Sequence, residues 1–222
     1  MKSVLPTFKI KPICVLFSYF SSGRVKMLME IGTAIVVGLW VMLPAYLPNS
    51  FAAVFGGGKP IDGGKTMKDG RRILGDGKTW RGFFAGTALG LLVGLIEIFL
   101  LSKGFHFFGI SLPGFSAAGI AGALDVSAVI AILSLATGAL LGDMTFSFLK
   151  RRLGLKRGQA LPLADQYDFL IGAFVLTAIT SFGWLTATLD WTTFIVIIIM
   201  TPVLHLGTNI IGYLIGVKNE PW

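Results

Sequence analysis

Three aspartates stand where apolar sequence meets basic sequence. The segment Gly142-Asp143-Met144-Thr145-Phe146-Ser147-Phe148-Leu149-Lys150-Arg151-Arg152 closes a long hydrophobic run. On a helix Asp143, Ser147 and Lys150 fall at i, i+4 and i+7 and share one face. An ionisable group at the end of a membrane-length run is expensive to place and points to function; an internal ion pair with Lys150 is the structural alternative. Asp165-Gln166-Tyr167-Asp168 opens the next apolar run with two carboxylates at i and i+3, on neighbouring faces of a first helical turn. Acids in that position also serve as ordinary partners of the helix dipole. Joined to Asp143, they supply the oxygen-rich donor set that magnesium prefers when it bridges phosphates.

A second concentration of chemistry lies between residues 56 and 82. The stretch holds Lys59, Lys65, Lys68, Arg71, Arg72, Lys78 and Arg81 together with Asp62, Asp69 and Asp76, among many glycines. Glycine lets the backbone approach an anion, and its amides can cradle phosphate oxygens. Lys and Arg add charge-assisted hydrogen bonds to the same oxygens. Thr79 sits at the start of the next helix, where free amides and the dipole favour anions. Gly77-Lys78-Thr79 has the look of a nucleotide-binding P-loop, but the required first glycine is Arg72 and no strand precedes it. A loop that only sets topology or touches anionic lipid would need neither the glycines nor the three aspartates. Farther on, His205, Asn209 and Tyr213 form a polar stripe at helical spacing, for which helix–helix hydrogen bonding is the bland alternative.

These groups must be positioned by membrane helices. Hydrophobic residues make up 54% of the 222 and charged residues only 14%, more apolar sequence than a soluble core absorbs. The sole cysteine, Cys14, rules out an internal disulfide and a Cys-based zinc site. The pattern predicts an all-α integral membrane protein, a bundle of about five transmembrane helices with two large cytoplasmic loops. The spans run from about Met27 to Leu47, Phe83 to Leu101, Val126 to Leu149, Tyr167 to Thr186, and Trp191 to Ile215. Pro44, Pro48 and Asn49 should break or kink the first before Phe51–Phe55. A short turn near Asp190 makes the last two an antiparallel hairpin.

The connections at 56–82 and 150–165 carry seven and five Lys or Arg, whereas the loop after the second span has only Lys103 and the Asp190 turn none. The positive-inside rule therefore places both basic loops and the C-terminus in the cytoplasm. Residues 1–26 are read as a basic N-terminal extension and 27–222 as the catalytic transmembrane domain. The apolar stretch Ile13–Phe20 is too short to span and fits an interfacial segment, an extension upstream of a start at Met27 or Met29, or a signal peptide. Deleting the extension should leave activity intact.

Several motifs resemble the archaeal CDP-archaeol synthase family. They are Pro44-Ala45-Tyr46-Leu47-Pro48-Asn49, the Gly56–Asp62 stretch, Gly70-Arg71-Arg72 through Arg81-Gly82, Gly142-Asp143 with Ser147 and Lys150-Arg151-Arg152, Asp165-Gln166-Tyr167-Asp168-Phe169, and His205, Asn209, Lys218 and Pro221-Trp222. That family is similar to the phosphatidate cytidylyltransferases. Of their signature, Ser147, Lys150, Arg151, Lys156, Asp165 and Asp168 fit. Arg157 stands where an Asp follows the second Lys, Gln166 replaces an Arg, and the His-Gly-Gly segment is absent.

The resemblance implies transfer of a cytidylyl group from CTP to 2,3-bis-O-geranylgeranylglycerol 1-phosphate, with Mg2+ as cofactor, at the cytoplasmic face of the cell membrane. Partners are then CTP, a prenylated glycerol phosphate lipid and the bilayer, with no nucleic acid and the oligomeric state left open. Asp143, Asp165 and Asp168 are assigned to the metal, and Lys78, Lys150, Arg151 and Asp143 to catalysis. Substrate contacts are assigned to Asn49, Lys59, Asp62, Lys65, Asp69, Arg71, Arg72, Asp76, Thr79, Arg81, Ser147, His205 and Asn209. A transporter for an anionic solute would use the same basic loops and polar stripe, but it predicts inverted repeats that the sequence lacks. A CDP-alcohol phosphotransferase needs an aspartate motif that Asp69-Gly70-Arg71-Arg72 does not supply. A structural protein that binds anionic lipid by charge alone leaves Asp143 unexplained.

Overall fold

The computed structural model describes residues 11–155, 159, 161 and 163–216, with side chains from residue 23 onward. Lys156, Arg157, Lys218 and Pro221-Trp222, named above, lie outside the described residues.

Six helices follow in order: α1 (Lys11–Tyr46), α2 (Pro48–Phe55), α3 (Trp80–Ser102), α4 (Val126–Arg152), α5 (Ala164–Thr188) and α6 (Trp191–Leu214). Among the described residues there is no strand, only isolated β-bridges. Five spans are long and apolar enough to cross a membrane, α1 and α2 counting together from Gly23 to Phe55. The expected break at the first span is a single residue, Leu47. Backbone bonding continues across it, since the Phe51 N–H donates to the Leu47 carbonyl at 3.0 Å. At the other end α1 begins at Lys11 and runs without interruption past Met27, so the backbone has no joint between residues 26 and 27.

Polar caps set where several helices begin. Thr79 accepts from the Gly82 amide and starts α3 three residues before the expected Phe83. Asp125 caps α4 through the Ala128 amide at 2.8 Å, and Asp190 caps α6 through Thr193 at 2.7 Å, closing the α5–α6 hairpin. Each satisfies an amide that the first turn leaves without a partner. Bonds to Ser116, Ser127 and Ala128 hold the Asp125 carboxyl down at about 2.

Helix α4 is the centre of the bundle, packing against α1, α2, α3 and α5. Its small residues make this possible: Ala128, Ala131, Ala136 and Ala139 are all fully buried. The closest approach is to α5, where a Cβ at Gly172 would lie 2.2 Å from the Gly138 carbonyl oxygen and 2.5 Å from the Gly142 Cα. Backbones this close require glycine on both sides, the small-residue packing of membrane helices. At the end of the bundle away from the basic loops, the 103–125 connection folds inward. Its Pro113 and Gly114 carbonyls accept from the Trp40 and Trp184 indoles at 3.1 and 2.9 Å.

Candidate active site

The 56–79 connection is organised from within by Asp62. Its carboxylate accepts from the amides of Gly64, Leu74 and Gly75, each at 3.0 Å, and from the Arg72 guanidinium at 2.8 and 3.3 Å. Arg72 also binds Asp76 at 2.6 Å. The ends of the connection are tied by a bridge between Pro60 and Thr79. Burial works against the charged form of Asp62, but the Arg72 bonds and the three amides outweigh it and hold the carboxyl below the usual carboxylate range. The Arg72 guanidinium is correspondingly pushed up by Asp62 and then by Asp76. Because the Asp62 value is depressed on folding, its contribution is complete above the ordinary carboxylate value of about 4 and is lost only as the pH falls well below it. Asp62→Asn is expected to loosen the loop at all working pH values. Trypsin cleavage within residues 65–72 should rise roughly tenfold, the scale of one lost charge-assisted bond.

The loop delivers Lys78 to the helix bundle. The Lys78 ammonium is paired with the Asp143 carboxylate of α4, both about one-quarter exposed. Lys150, two turns nearer the end of α4, pairs instead with Asp165 at 2.8 Å, and Asp165 also accepts from the Leu161 amide at 2.9 Å. The alternative of an internal Asp143–Lys150 pair is therefore replaced by two pairs that tie α4 to the loop and to α5. Asp168 is buried, 7% exposed, and accepts from the Phe169 amide at 2.5 Å.

Two cavities meet at these groups. One, of about 540 Å³, is walled by Arg71, Arg72, Asp76, Lys78, Asp143, Ser147, Lys150 and Arg151 with Leu74, Leu155 and the backbone of Gly75, Gly77 and Gly154. Five cations in one cavity suit a polyanion. The other, of about 420 Å³, runs between α1, α2, α5 and α6. Its polar end holds Asn49, Lys78, Asp143, Lys150, Asp165, Asp168, His205 and Asn209, and its apolar wall Leu39, Leu43, Leu47 and Leu204. Lys78, Asp143 and Lys150 belong to both. Two buried polar atoms in the walls have no hydrogen-bond partner among the described residues, Arg151 Nε in the first cavity and Asn49 Oδ1 in the second. Buried polar groups are normally satisfied, so both are placed to receive a ligand.

The remaining sequence candidates divide. His205 lies 3.3 Å from Asn209 and stacks on Phe169 in the second cavity wall, whereas Tyr213 of the same stripe is 46% exposed. Thr79 is buried as the α3 cap and faces a small cavity of about 90 Å³ beside Asn49, Lys78 and Asp143. Lys59, Lys65 and Arg81 are exposed and line none of these cavities. Asp69 faces away from them and binds Arg152. Sequence reasoning counted Arg152 only as a basic residue. It also gave Gly142 and Gly172 no packing role, although Gly138-Ala139-Leu140-Leu141-Gly142 has the glycine spacing of a close helix seam.

For a divalent cation, the donor chemistry fits: Asp143, Asp165 and Asp168 line one cleft and offer carboxylate oxygen,. Among the described residues, however, no three His, Cys, Asp or Glu side chains are gathered tightly enough to hold an ion. The ammonium groups of Lys78 and Lys150 sit on two of the three carboxylates.

The CarS-like CDP-archaeol synthase family matches residues 31–222. The CDP-archaeol synthase of Methanosarcina barkeri is 59% identical over 181 residues, covering 82% of this chain and 100% of that protein. That of Methanoculleus marisnigri is 51% identical with the same coverage. A solved structure described as an intramembrane enzyme for archaeal membrane lipids biosynthesis superposes with a TM-score of 0.56 at 34% identity, covering 79% of this chain and 94% of that one.

Proposed function

Since this chain belongs to the CDP-archaeol synthase family, we propose that its two joined cavities hold the two substrates of one transfer, CTP in the basic cavity and the lipid phosphate in the membrane cleft. The enzyme transfers a cytidylyl group from CTP to 2,3-bis-O-geranylgeranylglycerol 1-phosphate, giving the CDP-activated lipid and pyrophosphate, in archaeal lipid synthesis. The observation that carries the substrate placement is the shared wall: Lys78, Asp143 and Lys150 stand where the cavities meet. The reading of the same loops as an anionic-solute transporter is displaced by the relatives.

A lipid phosphate oxygen attacks the α-phosphorus of CTP, and the bond from that phosphorus to the oxygen bridging to the β-phosphorus breaks. A phosphate monoester dianion is already a nucleophile, so no group need remove a proton. Catalysis is then positioning and charge neutralisation. Arg71, Arg72 and Arg151 hold the triphosphate. Lys78 and Lys150, now paired with aspartates, turn toward phosphate oxygens when these arrive. The leucines of the second cavity hold the lipid at the depth of the bilayer, and His205 and Asn209 border its headgroup. Asp143, Asp165 and Asp168 would hold Mg2+, since they line one cleft with the carboxylate oxygens that this ion prefers,. When bound, that ion supplies neutralisation of charge on the leaving pyrophosphate. The positive-inside rule applied to the basic loops supports a site on the cytoplasmic side of the cell membrane.

The test is direct. Purified protein in detergent is incubated with labelled CTP, the unsaturated archaeal lipid phosphate and Mg2+. Label should pass into the lipid phase with release of pyrophosphate, and chelation of divalent cations should stop it. Transfer that persists in excess chelator would remove the metal from the scheme. A folded protein that labels no lipid phosphate would overturn the reading.

A further inference from the structure

The outer half of the 56–79 connection is a hairpin, residues 65–73. Thr66 faces Arg72 across it, the Met67 amide donates to the Arg71 carbonyl at 2.9 Å, and the Ile73 amide donates to Lys65 at 3.2 Å. Arg152, at the end of α4, reaches across to its tip. Nη1 of Arg152 donates to both Asp69 carboxylate oxygens at 2.8 and 2.7 Å, and Nη2 donates to the carbonyls of Arg72 at 2.5 Å and Arg71 at 3.3 Å. The contact is reciprocal, because Nη1 of Arg71 donates to the Arg152 carbonyl at 2.7 Å. The Arg152 guanidinium also lies 5.3 Å over the Phe148 ring, which fixes its direction.

Arg152 and Asp69 line neither substrate cavity, whereas Arg71 and Arg72, whose carbonyls Arg152 grips, line the basic one. We propose that Arg152 is a positioning residue: with Asp69 it latches the hairpin to α4 and so sets the affinity for the nucleoside triphosphate without touching it. This rests on the reading of the basic cavity as the triphosphate site. Gly63, Gly64 and Gly70 all adopt positive φ within or beside the hairpin, a backbone with wide freedom once untied. An unlatched tip would let Arg71 and Arg72 sample many arrangements, and ligand binding would have to order them at a cost in affinity. Lipid-phosphate binding, on the other side of Lys78 and Asp143, should not feel the latch.

The test compares wild type with Asp69→Asn, Arg152→Gln, and the exchanged pair Asp69→Arg with Arg152→Asp. CTP affinity is read by calorimetry without lipid, KM and kcat are read for each substrate, and trypsin cleavage at Lys65 reports the hairpin. Asp69 is at the loop tip, so its variant leaves the bundle untouched even if Arg152→Gln folds poorly. Each single variant should bind CTP roughly tenfold more weakly, the scale of a lost bidentate charge pair. The KM for CTP should rise with it, while kcat at saturation and the lipid KM stay within about twofold. Cleavage should quicken and be slowed by CTP, and the exchanged pair should recover part of the affinity. Unchanged CTP affinity in Asp69→Asn despite faster cleavage would overturn the positioning role. A wild type that binds no CTP would overturn the functional reading beneath it, while its cleavage pattern still reported whether the latch exists.

Discussion

Asp143→Asn is expected to lower cytidylyl transfer by ~10²–10³-fold, the scale seen when one preorganised charge is removed from a reacting centre, and to leave the bundle folded. Asp143 lines the basic cavity, the cleft that joins it and the small cavity beside Asn49. The amide keeps the shape and one acceptor oxygen but loses the charge that pairs with Lys78. The loss should fall on kcat and kcat/KM together, because the group acts where charge redistributes rather than in holding CTP at rest. Lys78→Met should cost a similar factor from the other side of the pair. The double variant should then be little worse than either single one, since the two residues serve one centre. The measurement is the initial rate of lipid-soluble label from labelled CTP, with thermal unfolding in detergent as the control for folding. If the singles lose less than about fivefold, or the losses multiply in the double variant, the pair is only a tether for the loop.

Which parts of this site were readable in advance follows from the range of the interactions. The five spans follow from bilayer thickness, which demands about 20 apolar residues per helix, and the ends of the last four moved by no more than a cap or a turn. Thr79 brought the start of α3 forward to Trp80, and Lys150–Arg152 remained helical at the end of α4. The first span was less legible, because an eight-residue apolar stretch after a basic segment does not reveal that α1 is continuous from Lys11. The face shared by Asp143, Ser147 and Lys150 was readable from spacing, and all three line the basic cavity. Their partners were not. Local spacing offered Lys150 to Asp143, while the real partner is Lys78, 65 residues earlier. The loop aspartates Asp62, Asp69 and Asp76 were assigned to substrate contact. The structure shows Asp62 gathering three amides and Arg72, and Asp69 fixing Arg152. Loop-internal and loop-to-helix contacts of this kind carry no periodicity, so a sequence pattern cannot announce them.

Gly172→Ala should damage both stability and transfer, although alanine is the better helix former by about 1 kcal/mol. The added Cβ would sit 2.2 Å from the Gly138 carbonyl oxygen and 2.5 Å from the Gly142 Cα. Both are backbone atoms, and no side-chain rotation relieves the contact, so α4 and α5 must separate. Overpacking of this kind costs about 1–3 kcal/mol, more than the propensity gain. The movement reaches the chemistry directly. Gly142 precedes Asp143, and a Cβ on Gly142 would itself lie 2.2 Å from the Asp168 carbonyl oxygen, so the seam sets the spacing between the carboxylates on α4 and α5. Gly183, also on α5, has nothing within 4 Å of its Cβ position, and Gly183→Ala provides the control, with stability and activity equal to or above wild type. Thermal unfolding in detergent and the rate of label transfer, measured on both variants, decide the matter. A Gly172→Ala protein as stable and as active as Gly183→Ala would mean that the carboxylates are spaced by the loops and not by the helix seam.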